Sequence, residues 1–248
     1  MVTLLLDVPS STPLDPPAVL DPVPTPRSLR RRVTRMALIV LAGFVAFLVA
    51  GNVAIFGLTM YARHELGTDT PVDIAGVGNL RAVDDLLWRG SHPSAEGFRE
   101  LAANGVTTVV DLRAEEDARI DQDLMAELGI TAYRIPMRDG QTPSGAQIRE
   151  FLAIVESSPG RVFVHCGAGV GRTGTMAAAY LVASGQADGD SAVLENLAVG
   201  PPSLEQIVFV AGLERDDWDR ANLVVTGVSR VLDAPRRTWS IIRHSDLF

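Results

Sequence analysis

From Met36 to Met60 the chain runs for 25 residues without a charged side chain, and Asn52 and Thr59 are its only notably polar positions. At 1.5 Å of rise per residue this run makes about 37 Å of helix, against a hydrocarbon core of roughly 30 Å. A core helix of this length in a soluble domain normally keeps a polar stripe. The apolar part of a cleaved signal is shorter, about 7–15 residues, and ends in a small-x-small site. A transmembrane helix is therefore expected over residues 36–62, and it divides the rest of the chain in two.

The segment before it holds seven of the 15 prolines within residues 1–26, with three Asp and no basic residue. Such a stretch cannot keep helical or sheet hydrogen bonding and reads as a disordered tail. Arg27, Arg30, Arg31, Arg32 and Arg35 then abut the apolar run, whereas Arg63 stands alone immediately after it. Positive charge flanking a span stays cytoplasmic. The expected topology is single-pass in the cell membrane, with the N-terminus cytoplasmic and the C-terminal domain extracytoplasmic. Residues 1–35 are thus a tail with a basic juxtamembrane cluster. Residues 67–248 form the globular domain, with a core at about 79–215.

Composition narrows the chemistry. All 22 basic residues are Arg; the absence of Lys removes a Walker A loop, a Schiff-base lysine and a lysine general base. One Cys excludes an internal disulfide framework and multi-Cys zinc sites, and the four His are widely spaced, so no metal or cofactor is expected. The net charge of −8 argues against a nucleic-acid partner.

In the globular part, apolar runs alternate with breakers. Arg81–Val83 and Leu86–Arg89 read as short strands around an Asp84-Asp85 turn, and Ser94 as the cap of a helix ending near Gly105. Val106–Leu112 and Ile130–Pro136 read as strands, Glu116–Leu128 as a helix, and Met137–Ser144 as a loop. Ile148, Phe151, Leu152 and Val155 fall on one helical face; Arg161–His165 is a strand and Thr173–Ala183 a helix. Leu194, Leu197 and Leu204 to Leu213 mark further helix. The fold class is α/β, a mostly parallel central sheet flanked by helices.

Residues 161–176, RVFVHCGAGVGRTGTM, pass from strand through a glycine-rich loop into a helix. Gly169-Val-Gly171-Arg-Thr-Gly174 matches a dinucleotide-binding pattern. That reading needs a second strand ending in an acid about 20 residues on, and the chain continues as helix instead. Cys166 and Arg172 bracket five residues, of which Gly167, Gly169 and Gly171 lack side chains. With Ala168 and Val170 they can wrap their backbone N–H groups around one tetrahedral anion at the helix N-terminus. Arg172 can close the ring with a bidentate fork. Positive surroundings favour Cys166 as a thiolate. Thr173 can donate to its sulfur, and His165 orients the loop, since a pre-formed thiolate needs no base.

By this His-Cys-x5-Arg-Thr segment the chain resembles the protein tyrosine phosphatase superfamily, most of all its compact dual-specificity group. The resemblance covers roughly residues 79–215 and includes Asp111-Leu112-Arg113 upstream. It implies a cysteinyl-phosphate mechanism with Cys166 as nucleophile and Asp139, in Ile-Pro-Met-Arg-Asp-Gly, as general acid and then base. Asp111 and Glu115 are rivals for the acid. The Trp-Pro-Asp of the larger enzymes is replaced here by Met137-Arg138-Asp139. Gln206 stands where related enzymes place residues near the loop, with helix surface weighed equally; Arg138 and Arg113 read as solvated charges or pocket rim. The implied substrate is a phosphorylated protein. Ala168 and Val170, where phosphoinositide-cleaving relatives carry Lys, disfavour a polyphosphorylated headgroup. A membrane phospholipid monoester and a non-catalytic phosphate-binding module are the alternatives.

Overall fold

A computed structural model of the chain describes residues 26–67, 73–115, 120–214, 218 and 223–244. The proline-rich residues 1–25, expected to be disordered, lie outside these, as do 116–119, the expected start of a helix. The chain divides into two units, Met1–Val45 and Ala46–Phe248.

Helix α1 (Pro26–Leu66) begins in the first unit and ends in the second. It starts ten residues before the expected span. Pro suits the first helical position and Arg is a good helix former, so the basic cluster extends the helix instead of ending it. The large apolar side chains described in the first unit, from Leu29 on, are exposed; Ile39 and Val40 are each 68% accessible. Residues Leu29–Leu66 are long and apolar enough to cross a membrane.

In the second unit a five-stranded sheet has the order β1-β2-β5-β3-β4. Its strands are β1 (Arg81–Ala82), β2 (Leu87–Gly90), β3 (Val106–Arg113), β4 (Thr131–Met137) and β5 (Arg161–His165). Only the edge strand β1 runs antiparallel. Asp84 makes that hairpin, its Oδ1 accepting from the amides of Leu86 (2.8 Å) and Leu87 (2.7 Å). Helices α2 (Ala95–Ala103) and α3 (Gln122–Glu127) cover one face. The other carries α4 (Gly145–Ser157), α5 (Gly171–Ala183), α6 (Gly189–Val199) and α7 (Leu204–Ala211). Alternation along β5 serves both cores. Val162 and Val164 pack with Phe151, Met176 and Phe209, while Phe163 packs with Trp88, Phe98 and Leu101 on the far side.

Helix α3 is shorter than the Glu116–Leu128 expected, because Asp121 caps it by accepting from the Leu124 amide at 3.0 Å. A final helix, α8 (Leu223–His244), lies beyond the last helix read from the sequence, with Pro235 inside it. The second-unit part of α1 packs on its neighbours. Ala62 is fully buried against Leu197 and Ala198, and Asn52 Nδ2 donates to the carbonyl of Leu232 at 3.4 Å. No strand follows α5 among the described residues, so the second half of a dinucleotide fold is lacking.

Candidate active site

The loop from Cys166 to Gly171 connects β5, at the centre of the sheet, to the N-terminus of α5. That helix begins at Val170 with no side-chain cap, so its first amides are open to an anion. The loop carbonyls are tied to its outside. Gly167 O accepts from the His92 amide (3.1 Å), Ala168 O from Asn79 Nδ2 (2.8 Å), and Gly169 O from Arg89 Nη2 (2.8 Å). A trans peptide points its N–H opposite to its C=O, so each outward carbonyl turns the next amide inward. Gly169 has φ +75°, and a Cβ there would meet the Gly90 backbone at 2.3 Å. Only glycine fits.

Cys166 is 3% exposed, and the Gly169 amide donates to its Sγ at 3.3 Å. The Thr173 hydroxyl, expected at the sulfur, is buried without a hydrogen-bond partner among the described residues. His165 lies under the loop, 1% exposed, with Nδ1 3.3 Å from Cys166 O and 3.9 Å from Asp111 Oδ1. Burial pushes its pKa down to about 4, so it is neutral at pH 7.

Arg172 is 4% exposed and held by Glu115, with Nη2–Oε1 at 2.8 Å and Nη1–Oε2 at 2.9 Å; Nη1 also donates to Met137 O at 3.0 Å. Burial opposes its charge, but Glu115, Cys166 and Asp139 around it raise its pKa above the ordinary value. Its Nε is buried with no partner among the described residues. The guanidinium is oriented on one edge and has an open donor left.

Asp139 Oδ1 is 3.5 Å from Arg172 Nη2, and its side chain is 68% exposed. The loop that carries it is pinned at both ends by capping boxes. Ser144 and Gln147 form one, and Gln147 Nε2 reaches back to Pro136 O at 2.8 Å. Ser203 and Gln206 form the other; Ser203 Oγ donates to Gly140 O at 2.9 Å and Gln206 Nε2 to Gln141 O at 3.0 Å. Gln206 is therefore not on the helix surface; at 1% exposure it sits against Gly171, where a Cβ would lie 2.6 Å from its Oε1. Cys166, Asp139, Gln206 and Asp233 of α8 line one cavity of about 110 Å³.

The rivals face other tasks. Asp111 is fully buried, and Arg113 Nη2 pairs with its Oδ2 at 2.8 Å; burial opposes its charge, but Arg113 and then His165 hold its pKa below the usual range. Arg113 is thus a structural partner and not a solvated charge, whereas Arg138 is exposed. Glu115 occupies Arg172. Sequence reasoning missed Arg89 and Asn196, which brace the loop from behind. An Arg at the third position of an otherwise apolar four-residue strand was the available signal. It also missed Asp233, brought in by a helix it did not expect.

Comparison with known proteins fits this geometry. Residues 86–186 match a family model described as a polymorphic toxin system DSP-PTPase phosphatase. Over these residues the chain is similar to the tyrosine and dual-specificity phosphatases. The dual specificity protein phosphatase CDC14AB of Danio rerio is 38% identical to the chain over 143 residues, 53% of this chain and 22% of that protein. The chain spans between 12% and 22% of the length of the first curated relatives it matches. TpbA of P. aeruginosa superposes with a TM-score of 0.50 at 21% identity, covering 66% of this chain and 94% of that one. The catalytic core of the S. cerevisiae PP-IP phosphatase SIW14 does so at 0.50 and 18%, covering 67% and 97%. At such identities the likeness concerns the phosphatase-domain fold.

Proposed function

We propose that the chain is a metal-independent protein phosphatase that works through a cysteinyl-phosphate on Cys166. The observation that carries this reading is the oriented Arg172 with an unpaired Nε beside a cysteine sulfur, above an uncapped helix N-terminus. The loop amides and Arg172 bind the three non-bridging oxygens. The Cys166 thiolate attacks phosphorus, the S–P bond forms and the P–O bond to the leaving group breaks. Asp139 gives its proton to the departing oxygen. Its carboxylate then takes a proton from water, which attacks phosphorus, breaks the S–P bond, and releases phosphate and thiolate. His165 positions the loop from below, and the Gly169 amide positions the sulfur.

The substrate in this reading is a phosphorylated protein. The apolar helix motivates one alternative, a phospholipid monoester held near the domain by its own tether. Full-length protein in detergent should hydrolyse a small aryl phosphate, and its rates on a phosphotyrosyl peptide and on phosphatidic acid decide the class. Turnover that survives Cys166→Ser, or that a chelator abolishes, rejects the mechanism.

The membrane assignment rests on the length and exposure of α1, and the orientation on its flanking arginines. Protease added to intact cells or spheroplasts should digest the C-terminal domain. A domain protected until permeabilisation has the reverse orientation.

A further inference from the structure

Behind the loop, on the face covered by α5 and α6, lies a second cavity of about 320 Å³. Ala177, Ala178 and Ala192 give it a small apolar floor, and its polar lining is Arg81, Arg89, Glu195 and Asn196. None of these residues contacts the substrate in the proposed reaction.

The charges in this cavity do not balance. Arg89 is 4% exposed, and its hydrogen bonds go to neutral groups: Nη2 to Gly169 O (2.8 Å), Val170 O (3.3 Å) and Asn196 Oδ1 (3.4 Å). Its Nε is buried with no partner among the described residues. Burial lowers its pKa to about 10, still charged at neutral pH. Within that balance Cys166, from across the loop, favours the charged form most, Arg81 opposes it, and Glu195 favours it. The Arg81 side chain makes no hydrogen bond or ion pair within 4 Å among the described residues; burial first, then Arg63, lowers its pKa, against Glu195. Arg63 itself is spent on the carbonyls of Ala198 (3.0 Å) and Val199 (2.9 Å) at the end of α6. Two guanidinium groups, Arg81 and Arg89, thus line the cavity with one carboxylate, Glu195. Gly174 shows how close the packing is, since a Cβ there would sit 1.6 Å from Asn196 Oδ1 and 2.8 Å from Arg89 Nη2.

A buried guanidinium without a carboxylate is stabilised by an anion that completes its hydrogen bonds. We propose that this cavity is a second anion site, which takes a phosphate group between Arg81 and Arg89. The phosphate is either free or carried on a lipid headgroup, and the apolar floor accepts what is attached to it. Leu66, the last residue of α1, lines the same cavity, so a headgroup source is within reach if α1 spans a bilayer. Binding here does not depend on the phosphatase reading.

Inorganic phosphate titrated calorimetrically into full-length protein in phosphatidylcholine nanodiscs should fill two sites. Arg172→Ala should remove one and leave the other. Arg81→Gln should weaken the second by at least about tenfold. Glu195→Gln should tighten it roughly three- to tenfold by removing the opposing charge, a gain that misfolding cannot produce. In nanodiscs containing phosphatidic acid, loss of the second phosphate site means that lipid headgroups fill it; retention means that free phosphate does. A single phosphate site, lost with Arg172→Ala and unmoved by both Arg81→Gln and Glu195→Gln, overturns the proposal and leaves the phosphatase reading standing. Hydrolysis that persists in Cys166→Ser while the second site remains does the opposite.

Discussion

Arg172 and Arg89 reach the same loop from its two sides, each 4% exposed, and they are held in different ways. Arg172 has a carboxylate on one edge, Glu115, and an open Nε. Arg89 has carbonyls and an amide side chain, and no carboxylate within 4 Å among the described residues. Pairing with a carboxylate fixes a guanidinium and offsets most of its charge, which leaves a pre-oriented donor for a transferring phosphoryl group. Pairing with carbonyls makes a strut that fixes backbone and leaves the charge without a carboxylate in direct contact. One residue type thus serves as a clamp in front and a brace behind.

The largest test of that contrast is Arg172→Lys. A point charge cannot supply the fork, so turnover should fall about 10³-fold with the melting temperature little changed. Asp139→Asn should lower kcat by about 10²-fold or more, and the loss should shrink for leaving groups that depart without a proton. If Asp139→Asn leaves kcat and its pH profile intact while Asp111→Asn alters both, the acid is misassigned.

His165, under the loop on the sheet face opposite Arg89, gives a pH test. Burial holds its pKa at about 4, below the unfolded value near 6.5, so between these the unfolded chain binds more protons. Stability should therefore fall by about 3 kcal/mol from this residue as pH drops from about 6.5 to about 4. Urea midpoints of His165→Gln should depend less on pH in that window; an unchanged slope contradicts the buried neutral imidazole.

Arg89→Lys is the smallest change. It should cost stability, about 1–2 kcal/mol for the lost carbonyl contacts, and lower kcat by no more than about tenfold. Equal kinetic losses from Arg89→Lys and Arg172→Lys would break the distinction between brace and clamp.

What could be read along the chain was what is local in it. His165 to Thr173 are contiguous, so the spacing of Cys166, three glycines and Arg172 already describes a cup at a helix N-terminus. The strands alternate with helices at short range, and the α/β architecture follows from them. Arg89, Glu115 and Gln206 reach this loop only through the fold. Arg89 arrives by the pairing of β2 with β5, Glu115 from just beyond β3, and Gln206 through the capping box of α7. Helix α8 lies beyond the last apolar run read as helix, and Pro235 stands inside it.

The central claim is a phosphoryl group on the Cys166 sulfur, and Asp139→Asn makes it observable. With an aryl phosphate whose leaving group needs no proton, the first step proceeds without the acid, while the second, deprived of its base, slows. The intermediate should then accumulate. Rapid acid quench followed by peptide mass analysis should find one phosphoryl group on the peptide bearing Cys166, the only cysteine in the chain. Cys166→Ser should abolish it. Steady turnover with no phosphoryl group on that peptide, or with the group on a different residue, would contradict covalent catalysis by Cys166.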